Sequence, residues 1–218
     1  VGWAVLLSSG LLWTALHGRG WRTRLGWLAP LAALWFGAWG LEWTNWTESA
    51  GSPLRVAIVQ GNIGQDVKWQ PNRLDETLER YVELSLPEHG RSDVIVWPET
   101  AIPAFYQDVL PFLEALGEKA REDRVDYVTG IPTGSWETGI FHNSVISVGR
   151  SLAFYSKRRL LPFGEYLPLR WFFLFFRDWV SIPMADFLPG DRDQPLLRAG
   201  GQPVGVSICF EAVFGSDI

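Results

Sequence analysis

The polar and apolar positions divide the chain into two unlike parts. Residues 1–16, VGWAVLLSSGLLWTAL, and residues 25–41, LGWLAPLAALWFGAWGL, carry no charged side chain. The second run continues in apolar character to Trp46 and is long enough to cross a hydrocarbon core of about 30 Å as a helix. Neither run has the polar face that a helix on a soluble core shows, so transmembrane helices are the expectation over residues 1–47. Between them lies HGRGWRTR, with Arg19, Arg22 and Arg24 and no acid. Short Arg-rich loops stay cytoplasmic, which would send everything after residue 47 to the opposite, periplasmic face. Buried helices of a soluble protein and a signal peptide are the weaker alternatives. No small-residue cleavage site follows a short apolar core.

After a linker over 48–53 the pattern alternates between periods of two and 3.6. LRVAIVQ (54–60), DVIVW (93–97), VDYVTGI (125–131), NSVISVG (143–149), LAFYSK (152–157) and VGVSICF (204–210) read as strands. Residues 72–86 and 108–122 read as amphipathic helices, the first on Leu74, Leu78, Tyr81 and Val82, with Ser85 interrupting the stripe. Pro71 and Asn72 suit its start. Helices alternate with strands early and strands cluster later, which predicts a layered α/β domain over 54–218.

Composition adds limits. The 218 residues are 47% hydrophobic, with 13 Trp and 13 Phe, and the net charge is −5. Without clustered cations nothing points to nucleic acid. One cysteine forms no internal disulfide. One cysteine and three scattered histidines show no zinc spacing. Phosphate-binding Gly loops are absent too, so neither metal nor cofactor is expected. The chain starts without Met and ends at Ile218; a fragment of a longer protein, cut at both ends, is the expectation.

Three polar residues sit at strand ends. Glu99 follows VIVWP, where partial desolvation would make a carboxylate a better base. Lys157 ends LAFYSK, and Cys209 lies in VGVSICFEAVF. Taken singly, Glu99 reads equally as a loop acid, Lys157 as a surface cation beside Arg158 and Arg159, and Cys209 as a small buried hydrophobe. Brought together, a base and a cation would generate a thiolate and stabilise an oxyanion. His17, His89 and His142 all lie in loops or turns by this reading, so a Cys–His dyad is the weaker account.

In this order, VIVWPET, YSKRRLLPFGEYLP and ICFE resemble the Glu–Lys–Cys motifs of the nitrilase, or carbon–nitrogen hydrolase, superfamily. VQGNIGQDVKW (59–69) and FHNSV (141–145), behind apolar helices, are similar to the apolipoprotein N-acyltransferase family within it. The resemblance runs over roughly residues 25–218. It implies an α-β-β-α sandwich, here incomplete at its C-terminus. It implies Glu99 as general base, Lys157 as oxyanion-stabilising cation and Cys209 as nucleophile. Glu165, Glu211 and Trp69 fall on supporting positions. The implied reaction moves an acyl chain from a phospholipid, through a cysteine thioester, to the N-terminal amine of a diacylated apolipoprotein at the bacterial inner membrane. No cofactor is implied. The alternatives are a membrane-tethered amidase and a non-catalytic lipoprotein binder. Between the lysine and cysteine motifs, residues 167–190 contain WFFLFF between Arg170 and Arg177. That segment is expected to be a membrane-dipping arm, or else a buried core helix.

Overall fold

The computed structural model describes residues 2–135, 137–168 and 187–214. The chain divides into two units, Val1–Ser52 and Pro53–Ile218.

The first unit holds helices α1 (Gly2–His17) and α2 (Trp21–Glu42). Ala15 of α1 is buried, and Trp35 of α2 donates its indole N–H to Ser8 Oγ of α1 at 3.0 Å. The expected transmembrane helices are not shown. No helix among the described residues is long and apolar enough to cross a membrane. The physical reason lies in the residues. α1 has 16, a length of about 24 Å. α2 has 22, but takes Arg22 and Arg24 into its first turn, ends on Glu42, and draws its apolar stretch heavily from Trp, Gly and Pro30.

The second unit is built on a five-stranded mixed sheet in the order β1 (Val56–Ile58), β2 (Val94–Val96), β3 (Asp126–Ser135), β4 (Ile140–Val148), β5 (Ala153–Ser156). β1, β2 and β3 are parallel; β3–β4 and β4–β5 are antiparallel. A short helix α3 (Gln65–Lys68) follows β1. Helices α4 (Leu74–Ser85) and α5 (Leu110–Glu122) make the crossovers between the parallel strands. Both faces of the sheet are apolar because both are covered. Ile95, Tyr127 and Ile146 join Leu78, Tyr81, Leu113 and Leu116 on the helical side. Their strand neighbours Val94, Val128 and Val145 pack on the other side, with Tyr155, Leu197 and Ile208.

That second face is met by an antiparallel ribbon of β6 (Leu197–Ala199) and β7 (Gln202–Val204). Its turn uses Gly200 and Gly201, both at positive φ, where only glycine is unstrained. The described residues therefore form a helical layer, a mixed sheet and a ribbon; a second helical layer is not among them. The ribbon corrects the strand expected over 204–210. The ladder ends at Val204, and residues 205–208 run on without strand pairing. The chain then folds into a 3-10 turn, Cys209–Val213. His142, expected in a turn, lies inside β4 and meets the Leu188 carbonyl at 2.9 Å. Of the apolar segment 167–190, residues 169–186, which include WFFLFF, lie outside the described residues. Its last residues are fixed by Leu188 N–H to Phe141 O at 2.7 Å and Gly190 N–H to Lys157 O at 2.9 Å.

Candidate active site

The parallel strand β2 delivers the first acid. Trp97 N–H still bonds Val128 O at 2.9 Å, and then Pro98 ends the ladder. The turn that follows lies flat against β3 at Gly130, whose N–H reaches Pro98 O at 3.3 Å and whose carbonyl accepts from Ile102 N–H at 3.2 Å. A Cβ on Gly130 would stand 2.7 Å from Glu99 Cα and 2.8 Å from Pro98 O, closer than packed atoms tolerate. The glycine is what lets Glu99 turn inward.

Lys157 follows β5. Its N–H bonds Asn143 O at 2.8 Å and its carbonyl takes Gly190 N–H. The residue is 1% exposed, so its ammonium needs partners. It has two carboxylates: Glu165 at 2.9 and 3.0 Å, and Glu99 at 3.7 Å. Glu165 sits in a tight turn where it also accepts Leu161 N–H at 2.8 Å. Glu99 keeps 38% of its side chain exposed, against 12% for Glu165. The more open acid is thus the one able to meet a substrate.

Lys68, the last residue of α3, donates from Nζ to Glu99 O at 3.3 Å. Burial pushes its ammonium below the ordinary lysine value, and the negative charge of Glu99 opposes that shift. Trp69, expected as a supporting residue, stands 56% exposed at the end of the same helix. It is the lysine before it that reaches the cluster.

Cys209 is exposed and has φ 50°. A non-glycine residue in that region is strained and points to function. Three of the five non-glycine residues with positive φ among those described are Thr100, Phe163 and Cys209. They lie beside Glu99, in the Glu165 turn, and at the thiol itself. Among the described residues the sulfur makes no hydrogen bond to Glu99 or Lys157. The link runs instead through Glu211, which is 2% exposed. Its carboxylate accepts the N–H groups of Arg158 at 2.7 Å, Arg159 at 3.2 Å and Ile208 at 2.9 Å, and the Tyr155 hydroxyl at 3.0 and 3.1 Å. The cysteine turn is thereby fastened to the two residues after Lys157. The histidines are engaged elsewhere: His17 with Trp13 O, His89 with Asp123 and Tyr127, His142 with Leu188 O.

Two residues of the site carried no signal in their own type. Tyr155 lies two positions before Lys157, the spacing that puts side chains on one strand face. Asn143 lies in FHNSV and meets both acids.

A cavity of about 750 Å³ opens beside the cysteine turn. Leu160, Tyr166, Phe187, Phe210 and Phe214 give it apolar walls, with Arg158 and Arg159 at its margin. The Arg159 guanidinium stands 4.3 Å from the Phe214 ring centroid.

Comparison with known proteins identifies the family. Residues 55–217 match the carbon-nitrogen hydrolase family. An apolipoprotein N-acyltransferase of Methylococcus capsulatus is 40% identical over 220 residues, covering 100% of this chain and 43% of the relative. One of Pseudomonas aeruginosa is 40% identical over 190 residues, covering 86% of this chain and 37% of the relative. The chain therefore spans less than half the length of these curated relatives. The crystal structure of a carbon-nitrogen hydrolase from Helicobacter pylori is 16% identical, with a TM-score of 0.47, over 72% of this chain and 52% of that one. On the family match, which takes in most of its residues, the chain belongs to the carbon-nitrogen hydrolase family.

Proposed function

We propose that this chain is the catalytic part of an apolipoprotein N-acyltransferase that works through a Cys209 thioester. The observation that carries the reading is the buried Lys157 held between Glu99 and Glu165, with the Cys209 turn tied to the same strand end through Glu211. The apolar cavity beside that turn suits a long acyl chain better than a small amide. The names of the relatives point the same way.

In this reading Glu99 takes the thiol proton and the sulfur attacks the ester carbonyl of a phospholipid. The Lys157 ammonium stabilises the oxyanion that forms. The intermediate collapses, breaking the ester C–O bond, and Glu99 returns the proton to the departing lysophospholipid. The N-terminal amine of a diacylated apolipoprotein then attacks the thioester. Glu99 accepts the amine proton, the C–S bond breaks, and the proton goes back to sulfur. Splitting the transfer lets one site serve two substrates in turn. Lys157 starts paired with two acids, so its charge is in place before the oxyanion appears.

The first unit supports a membrane setting. α2 buries none of its side chains, and Trp35, Phe36 and Trp39 are among those it exposes. An exposed apolar surface of this kind calls for an apolar surrounding. We assign α1 and α2 to the membrane part of a longer protein of the bacterial inner membrane, with the second unit on the periplasmic face.

The test is mass spectrometry of the full-length protein after exposure to phospholipid vesicles. An acyl adduct on Cys209 that disappears when a diacylated lipopeptide is added, and is absent from C209S, is the expected result. Unmodified Cys209 together with turnover of simple amides would replace the proposal with the amidase reading.

A further inference from the structure

The Asn143 side chain makes a contact that the three-residue account leaves unused. Its Nδ2 donates to Glu99 Oε1 at 2.7 Å and to Glu165 Oε1 at 2.8 Å. A primary amide has two N–H bonds, and here each ends on a different carboxylate. The residue is 7% exposed, in the middle of β4, and its own carbonyl receives the Lys157 N–H at 2.8 Å. Asn143 therefore touches all three members of the cluster.

Counting charge shows why this matters. Two carboxylates face one ammonium, Lys157, which stands 2.9 Å from Glu165 but 3.7 Å from Glu99. The cation favours Glu165. The second lysine, Lys68, spends its described hydrogen bond on the Glu99 carbonyl rather than the carboxylate. The described direct bond to the Glu99 carboxylate is thus the one from Asn143.

We propose that Asn143 is a positioning residue, which holds the Glu99 carboxylate aimed while keeping it apart from Glu165. The inference rests on the acyltransfer reading in one respect: it takes Glu99 as the base. A donor to the charged form favours that form. Removing the donor favours the protonated acid, and an acid that is protonated cannot take the thiol proton. Asp at this position goes further, setting a third carboxylate between two others.

The experiment measures kcat/KM for acyl transfer against pH in the full-length protein, from phospholipid vesicles to a diacylated lipopeptide, for wild type, N143S and N143D. C209S in parallel tests the acyltransfer reading by itself. Near neutral pH, N143D should lower kcat/KM by about 10- to 100-fold, the loss expected for a charge-assisted hydrogen bond. The acid limb should move to higher pH, and N143S should move it in the same direction by less. A folded N143D or N143S with the wild-type acid limb overturns the proposal, even if its melting temperature is reduced, because a residue that only packs has no reason to move that limb. Should N143D fail to fold, N143S decides the matter on the same limb. If C209S retains transfer, it is the thioester reading that fails, whatever the limb does.

Discussion

The Glu211 carboxylate accepts the Arg158 N–H at 2.7 Å, and this bond joins the turn presenting Cys209 to the residue after Lys157. A thiol and a cation that lie 52 residues apart along the chain are held in register by one buried acid. Four donors converge on it: three backbone N–H groups and the Tyr155 hydroxyl. A glutamine would keep one acceptor oxygen and turn an NH2 toward at least one backbone N–H, which can only donate. E211Q should therefore cost about 2–3 kcal/mol of stability, and Y155F about 1 kcal/mol. Thermal or urea unfolding of the two variants checks the order. A Y155F loss larger than that of E211Q would count against Glu211 as the centre of the fastening.

Lys157 gives the second expectation. K157M leaves Glu99 and Glu165 sharing one amide with no cation between them. K157R keeps the charge but must fit a planar guanidinium where a buried ammonium reaches two acids. If the proposed function holds, both variants of the full-length protein should lose at least about 100-fold in acyl transfer from phospholipid to lipopeptide. An active K157R would mean that charge alone suffices at this position.

Gly130 gives a third. In G130A the new methyl would press on Glu99 Cα, on Pro98 O and, closer still, on Thr100 N. Those are backbone atoms, so the turn must move. Destabilisation of about 1–3 kcal/mol is expected from overpacking. Activity should fall further than stability explains, because the displaced residue is Glu99. Full activity in G130A at a temperature where it is folded would show that the proposed base tolerates the displacement.

How much of this was legible beforehand follows from which forces each residue answers to. Strand ends were readable at Glu99 and Lys157, because apolar runs stop at Pro98 and before Arg158. Ser85 looked like a flaw in the apolar stripe of α4. It is buried, accepts the Trp97 indole N–H at 2.9 Å and donates to Tyr81 O at 2.7 Å, so the polar residue is one the core uses. The stretch 204–210 misled for a different reason. Val204, Val206 and Ile208 alternate like a strand and do face the second apolar cluster. Yet ladder bonds depend on what lies alongside, and the chain must turn sharply at Cys209. Nothing in the sequence singles out Asn143, since an amide within a β-branched run carries no charge pattern. Only the sheet register, which sets Asn143 opposite Pro132 and beside the Lys157 backbone, reveals what it touches.

Away from the site, Tyr127 predicts an alkaline limit to stability. It is 1% exposed, its hydroxyl meets His89 Nε2 at 2.5 Å, and its ring packs edge-on to Trp97 at 5.2 Å between centroids. Burial pushes its phenol up to about 12, and the negative charge of Asp123 adds to that, against a lowering by Ser85. An unfolded tyrosine loses its proton near 10. Between about pH 10 and 12 the unfolded chain therefore binds fewer protons than the folded one, and stability falls as pH rises. The contribution is fully present below about pH 10 and is lost by about pH 12, amounting to roughly 2–3 kcal/mol. Y127F has no proton to lose. It should be less stable than wild type at neutral pH by about 1 kcal/mol, having lost the bond to His89. Over the alkaline window its unfolding free energy should decline less steeply, so that the two curves converge or cross. Tyr81 and Tyr155 are also raised by burial, but they are common to both proteins and cancel in the difference. Parallel curves for Y127F and wild type from pH 10 to 12 would show that the phenol is not held protonated by the fold.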